Sequence, residues 1–323
     1  MAAQLPPTTI ALRDGFAVEA GTIADAGPYS PVPFASKPQW VEVGEPLPSG
    51  TDAVAPFDAM RGDRAEAIAA VSPGEGVLAA GGDCTPRTPL RRTGERVRAI
   101  DIAVIAAAGI AEVTVRSPRI LIACSSTMKT PLIESALDVL AHAATVAGCT
   151  VLEAQCEGRG LDRALADENA DAVIALGGTG RGRRDAAVHT LARLGQVEAH
   201  GIAVSPGETA AFGFAGARPV LLIPGRLDAA LAIWLLIGRY LVAKLAGGGI
   251  VDLPVTLPLK RKVTSTIGLT ELVPVSCAGG VAEPLASGYL SLQSLARSDG
   301  WIVVPAESEG FAAGTPVAVR AWP

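Results

Sequence analysis

The stretch Ala172-Val173-Ile174-Ala175-Leu176, followed by Gly177-Gly178-Thr179-Gly180-Arg181-Gly182-Arg183-Arg184-Asp185, decides how the chain is read. Five apolar residues running into glycines read as a buried strand that ends at its carboxyl side. From Asp185 to Leu194 the spacing turns helical, with Ala186, Ala187, Leu191 and Leu194 available for one face and Gly195 as the stop. A glycine turn between a strand and a helix exposes backbone N–H groups at the positive end of the helix dipole. Arg181, Arg183 and Arg184 add charge that suits a phosphate. On this stretch alone two readings stand: a phosphate cradle, or a tight turn carrying solvated arginines.

The same alternation continues on both sides. Ile120–Cys124 reads as a buried strand, and Thr130-Pro131 as an N-cap and first helical residue. Ile133, Leu137, Leu140, Ala141 and Ala144 then make one helical face up to Gly148. Thr150–Leu152 is a second strand, Leu161–Asp167 a helix, and Ala172–Leu176 the third strand. After the helix from 185 come strands at Gly201–Val204 and Val220–Ile223, then a long helix from Asp228 to about Leu245. Strands alternating with helices predict an α/β fold with a central parallel sheet and right-handed crossovers. Ligands gather at the carboxyl ends of such strands. Gly177-Gly178, Pro206-Gly207 and Pro224-Gly225 all fall there, so three turns are placed to converge on one crevice.

Residues 1–115 form a β-rich N-terminal region, with short strands at Trp40–Val43, Ala53–Ala55 and Gly76–Ala79 and a helix over Asp101–Ala108. The α/β region occupies 116–249, and Gly247-Gly248-Gly249 ends its long helix. Beyond it, Val255–Leu257, Glu271–Val275, Trp301–Val304 and Val317–Val319 are short strands that suggest a small C-terminal β-barrel over 250–323. No internal repeat interrupts this plan.

Composition narrows the function. Of 323 residues, 49% are hydrophobic and 18% charged, which fits an ordered globular chain. A formal charge of −5 argues against a general nucleic-acid binder. The cysteines at 84, 124, 149, 156 and 277 are odd in number and lack CxxC spacing, pointing to a reduced, cytoplasmic protein without a zinc site. Met1–Pro7 has no basic segment before an apolar core. The longest apolar run, Ala229–Gly238, falls short of the roughly 18–20 residues that span a bilayer, so it reads as a buried or dimer-contacting helix.

Several motifs, in order, resemble those of the MoeA family of molybdenum-cofactor biosynthesis proteins, which includes the E domain of gephyrin. Asp14-Gly15-Phe16-Ala17-Val18 resembles its early DGYAV signature, and Val43-Gly44-Glu45-Pro46-Leu47-Pro48-Ser49-Gly50-Thr51-Asp52-Ala53-Val54 its LPxGaDAV segment. Gly109–Val115 with Pro118-Arg119 is similar to the junction into the central domain. The Gly177 stretch, Ser205-Pro206-Gly207-Glu208, Ile223-Pro224-Gly225, Lys244–Gly247, Ser265–Val275 and Ser294–Trp301 continue the series. The resemblance implies a molybdopterin-binding central domain, a homodimer, and insertion of molybdate into adenylylated molybdopterin with Mg²⁺. It implies a phosphorylated pterin as small-molecule partner, and molybdoenzymes or other cofactor-biosynthesis proteins as protein partners; the short apolar run separately predicts no membrane partner.

By the same resemblance, Asp14 and Asp185 are the candidate catalytic acids, and Asp185 and Glu134 the candidate metal ligands. The cofactor would be held by Ser125 and Ser126, by Gly177, Gly178, Thr179, Gly180, Arg181 and Gly182, by Pro206 and Gly207, and by Pro224, Gly225 and Arg226. The departures matter equally. Where the family has a TGDEL loop, this chain reads Cys124-Ser125-Ser126-Thr127-Met128-Lys129, so both carboxylates are replaced. The PGNP turn has become Pro224-Gly225-Arg226-Leu227 and PGKP has become Pro206-Gly207-Glu208-Thr209. A hard dication wants oxygen ligands, and exchanging acids for arginines moves the crevice toward plain anion binding. Two functions follow: a cofactor-biosynthesis protein that binds molybdopterin and inserts molybdate, or a catalytically reduced carrier, sensor or assembly partner.

Individual residues keep bland readings beside these. Asp14 suits a turn before Gly15, and Asp185 and Glu134 suit the first turn of a helix. His142, His189 and His200 lack metal-ligand spacing, and Cys124 reads as a small apolar filler.

Overall fold

A computed structural model of the chain describes residues 4–61, 65–125, 130–153, 160–183, 185–250 and 252–323. The chain divides into two compact units, Met1–Val113 and Thr114–Pro323.

The first unit is built from short strands. Gly15–Val18 lies antiparallel between Trp40–Val41 and Ala53–Ala55, and Glu66–Ala67 lies between Val32–Pro33 and Met60–Arg61. Glycine is required at position 15, because a Cβ there would come within 2.3 Å of the Ala55 carbonyl oxygen. The strand expected at 40–43 stops at Val41. The Glu42 N–H donates to Glu45 Oε2 at 3.0 Å and the Val43 N–H to Asp14 Oδ1 at 2.8 Å, which turns the chain away from the ladder. The helix runs Ala99–Ala107, and Asp101 accepts the Arg98 N–H at 2.8 Å to close its first turn.

The second unit centres on a six-stranded sheet in the order Thr150–Glu153, Arg119–Cys124, Ala172–Leu176, Arg218–Ile223, Ala211–Ala215, Gln196–His200. The first four strands are parallel, and the last two are antiparallel additions. The sheet is therefore mixed, with the expected parallel part at its centre. Ile120, Ile122, Ile174, Leu176, Leu221 and Ile223 face the helix Pro131–Val146 and the long helix beyond 226. Leu121, Ala123, Val173, Ala175, Val220 and Leu222 face the helices Gly160–Ala166 and Ala187–Leu194. Burial on both faces explains why these strands are apolar without alternation.

Three local expectations change. Residues 201–204 do not make one strand: Gly201, at φ +89°, donates to the Ala210 carbonyl in a turn, and only Val204–Ser205 is extended. That pair runs parallel to Thr270–Ser276, matching Ser205 with Glu271. The helix expected from Asp185 begins at Ala187, because Asp185 is held in the preceding turn. The long helix is α-helical over Leu227–Ile233, opens into a π-turn over Trp234–Gly238, and resumes over Arg239–Leu245. Gly238 makes the π-turn fit, since a Cβ there would meet Trp234 Cε3 at 2.7 Å. This helix is largely buried, and no helix among the described residues is long and apolar enough to cross a membrane.

The C-terminal part is strand-rich. Val204–Ser205, Thr270–Ser276, Gly300–Val304, Pro316–Ala321 and Val255–Pro258 form a sheet in that order, and Val263–Thr264 pairs with Gly310–Phe311. Leu272, Leu290 and Trp301 enter the same core as Ile223 and Ile233.

Candidate functional site

The carboxyl ends of the parallel strands carry the expected turns. Beyond Cys124, the Ser125 N–H donates to the Leu176 carbonyl at 2.9 Å, and its hydroxyl reaches the Leu176 and Gly177 carbonyls. The Gly177 N–H donates to the Ile223 carbonyl at 2.7 Å. Gly177 and Gly178 have φ of +94° and +71°, where L-residues are strained, so glycine is what lets the chain leave the sheet here.

The three turns meet. A Cβ on Gly225 would touch Gly177 Cα at 3.4 Å, so the first and third turns are in contact. The hydroxyls of buried Thr179 and of Thr209 lie 3.1 Å apart, joining the first turn to the second. Gly207 seats the second turn on the helix that follows the third, since a Cβ there would meet Ile233 Cδ1 at 2.8 Å. Pro206 and Pro224 are buried beside them. His200 Nε2 lies 3.0 Å from the Thr179 carbonyl oxygen, a contact that steadies the same turn.

The amides of these turns fall into two groups. Among the described residues nothing accepts from the N–H groups of Gly178, Thr179, Gly180 or Arg181. The Gly182 N–H, in contrast, donates to Asp185 Oδ2 at 2.7 Å, and the Gly207 N–H to Glu208 Oε2 at 3.1 Å. Asp185 is folded tightly over its own turn: a Cβ on Gly180 or Gly182 would come within 2.8 Å of Oδ2. Arg181 and Arg183 are exposed. Ser126, Thr127, Met128, Lys129 and Arg184 lie outside the described residues.

Arg226 is the best-defined cation. Its Nε donates to Asp228 Oδ1 at 3.0 Å and its Nη2 to Asp228 Oδ2. Asp228 is 3% exposed and also accepts from the Ala229 N–H at 2.9 Å and the Leu290 N–H at 3.3 Å. The Arg226 side chain remains 56% exposed, and its guanidinium carbon lies 4.9 Å from the centre of the Tyr289 ring. The hydrogen bond to the Asp228 carboxylate raises the Arg226 pKa above its ordinary value.

Glu134 is exposed on the first turn of Pro131–Val146, and Asp14, in the first unit, accepts the Val43 N–H. Among the described residues no three acids, histidines or cysteines are grouped as metal ligands. With Asp185 bound to its own turn, and threonine and methionine at 127 and 128, this donor set does not fit Mg²⁺, which demands near-octahedral oxygen ligation. Thr209, Asp228 and Tyr289 were not singled out from sequence. Asp228 two residues after Arg226 was a readable signal, whereas Tyr289, some sixty residues away, offered none.

Comparison with known proteins places these features among relatives. Three family models match in order: "MoeA N-terminal region (domain I and II)" over 2–109, "Probable molybdopterin binding domain" over 131–244, and "MoeA C-terminal region (domain IV)" over 256–322. The chain is 33% identical over 150 residues to a Methanocaldococcus jannaschii protein named for molybdopterin biosynthesis, an alignment covering 46% of this chain and 36% of that one. It is 27% identical to a molybdopterin molybdenumtransferase of Synechococcus elongatus, covering 98% of this chain and 88% of the relative. In fold it is similar to the molybdopterin biosynthesis MoeA protein of Pyrococcus horikoshii, at a TM-score of 0.76 and 20% identity over 100% of this chain and 90% of that one. All three turns lie inside the segment that matches the central model.

Proposed function

The chain belongs to the MoeA family of molybdenum-cofactor biosynthesis, and from that premise we propose that it binds molybdopterin or its adenylylated form where the three glycine turns meet. The observation that carries this reading is the contact between the Gly177 and Gly225 turns, with the Pro206-Gly207 turn joined to the first of them through Thr179 and Thr209. In this arrangement the amides of Gly178 to Arg181 donate to a phosphate, and Arg181, Arg183 and Arg226 balance its charge. Ser125 positions the Gly177 turn from the neighbouring strand.

Of the two functions, binding without insertion is favoured by the donor set, in which Asp185 serves its own turn and positions 127 and 128 carry no acid. Molybdate insertion is favoured by the near full-length relative named a molybdenumtransferase. Anaerobic incubation with adenylylated molybdopterin, molybdate and Mg²⁺ separates them. The expected result is tight binding without AMP release; AMP release with mature cofactor establishes the insertase, and no binding of either pterin refutes both.

A homodimer is the proposed assembly. The helix Ala99–Ala107 leaves Ile100, Ile102 and Val104 exposed, apolar side chains that a second copy would cover. Light scattering giving a monomer mass at micromolar concentration would discard it. Residues 1–115, 116–249 and 250–323 are proposed as the functional divisions, with the phosphate-binding turns confined to the second.

A further inference from the structure

We propose that Tyr289 is a specificity-determining residue of this crevice, offering its ring to the planar ring system of a phosphorylated heteroaromatic ligand. The inference rests on the turns being a site for such a ligand.

Tyr289 is held in place by its neighbours. On one side, Glu271, 4% exposed, accepts from Ser287 Oγ at 2.6 Å and from the Gly288 N–H at 2.7 Å. Glu271 is itself paired in register with Ser205, immediately before the Pro206-Gly207 turn. On the other side, the side chain of Leu290 is buried in the common core and its N–H donates to Asp228 Oδ2 at 3.3 Å. Gly288, at φ +72°, makes the bend between the two anchors. Tyr289 therefore stands between one carboxylate tied to the second turn and another at the helix start beyond the third.

The loop thus fixes an aromatic ring that stays 63% exposed. The ring lies against the Arg226 guanidinium, next to the Gly225 turn. Tyrosine has few rotatable bonds, so stacking on it orders little that the anchored loop has not already ordered. A ring stacked there and a phosphate on the neighbouring amides would be read by different groups, aromatic face and N–H donors. That division separates a pterin phosphate from a bare phosphate.

The test is equilibrium binding of two probes, molybdopterin kept anaerobic and inorganic diphosphate, to the full chain and to Tyr289→Ala and Tyr289→Phe. Loss of one stacking face is expected to weaken molybdopterin about tenfold in Tyr289→Ala. Tyr289→Phe keeps the ring and is expected to stay within about twofold of wild type. Diphosphate binding is expected to be unchanged in both variants. Molybdopterin affinity that survives Tyr289→Ala overturns the assignment. Equal weakening of both probes also overturns it, because Tyr289 would then act only by steadying Arg226. A wild-type chain that binds diphosphate but not molybdopterin instead refutes the underlying site, a result distinguishable from either.

Discussion

Replacing Arg226 with methionine keeps the stem of the side chain and removes its charge. Two unit charges about 4 Å apart interact by ~1 kcal/mol in water and ~4 kcal/mol at an effective dielectric near 20. With the Arg226 side chain 56% exposed, a contacting phosphate gains an amount near the lower end, and the bidentate partner Asp228 offsets part of that. About 1 kcal/mol remains, which corresponds to roughly fivefold weaker binding of inorganic diphosphate. Added salt should shrink the difference, because a half-exposed charge is screened over ~8–10 Å at physiological ionic strength. The substitution has a second signature. Asp228, 3% exposed, keeps the Ala229 and Leu290 N–H donors among the described residues, and a buried carboxylate stripped of its cation costs ~1–3 kcal/mol of stability. Calorimetric titration with diphosphate at low and high salt, beside urea denaturation, reads both effects. Diphosphate affinity in Arg226→Met equal to wild type at low salt would refute the assignment of Arg226 as an anion contact. Unchanged urea stability would show that the Asp228 pair does not hold the turn.

Other positions give independent checks. In a double-mutant cycle, Thr179→Val and Thr209→Val should show coupling, with Thr209→Val destabilising by ~0.5–1.5 kcal/mol because it leaves the buried Thr179 hydroxyl without this partner; additive values in urea would mean the two turns are not joined there. Gly178→Ala, at φ +71° and with its Cβ 3.2 Å from that of Ala187, should cost ~1–2 kcal/mol. Gly225→Ala, outside the left-handed region and meeting only Gly177 Cα at 3.4 Å, should stay within ~0.5 kcal/mol; thermal denaturation that reverses this order would contradict the turn geometry. The hydrogen bonds from Arg239, with those from Arg320, hold the Asp252 carboxyl below its ordinary pKa. A depressed folded-state pKa contributes stability that is present above the unfolded value of about 3.9 and lost as pH falls through the folded one. Asp252→Asn should therefore lower Tm at neutral pH and converge with wild type in acid, and a pH-independent difference would show that the charge is not responsible.

The central region was legible because its signals are local and agree. Thr130 caps the helix Pro131–Val146 as its side chain predicts, accepting from the Ile133 N–H at 3.3 Å, and continuous apolar runs mark strands buried on both faces. The antiparallel edge was not legible. Ala211–Ala215 has a glycine at its centre, which reads as a breaker, yet Gly213 is there because a Cβ would come within 2.0 Å of the Gln196 carbonyl oxygen. Val204–Ser205 is too short for any period, and its partner Thr270–Ser276 is fixed by tertiary packing alone. At the site, each turn was visible as a glycine pair or a Pro-Gly step and their convergence followed from their places at the strand ends, but the atoms that join them, Thr179 with Thr209 and Gly225 with Gly177, were not. Periodicity carried the fold; the choice of ligand came from the ordered motifs, because Gly-rich turns alone do not distinguish one phosphate ester from another.

The sign of the crevice follows from where its carboxylates point. Asp185 and Glu208, the acids nearest the turns, each accept from a backbone N–H of their own turn, and Asp228 is buried against Arg226. A carboxylate in that position does what an anionic ligand would do: it supplies the acceptor that an exposed amide lacks. The amides of Gly182 and Gly207 are thus closed to a phosphate unless it displaces a carboxylate, whereas those of Gly178 to Arg181 have no such competitor among the described residues. On the proposed reading, a phosphate would therefore sit at the Gly177–Gly225 junction, close to Arg226 and to the Tyr289 ring. The same placement works against a divalent cation, which would meet guanidinium charge and would have to draw Asp185 off its turn. On the proposed reading, the absence of acids at 127 and 128 and the arginine at 226 act in one electrostatic direction, toward holding an anion.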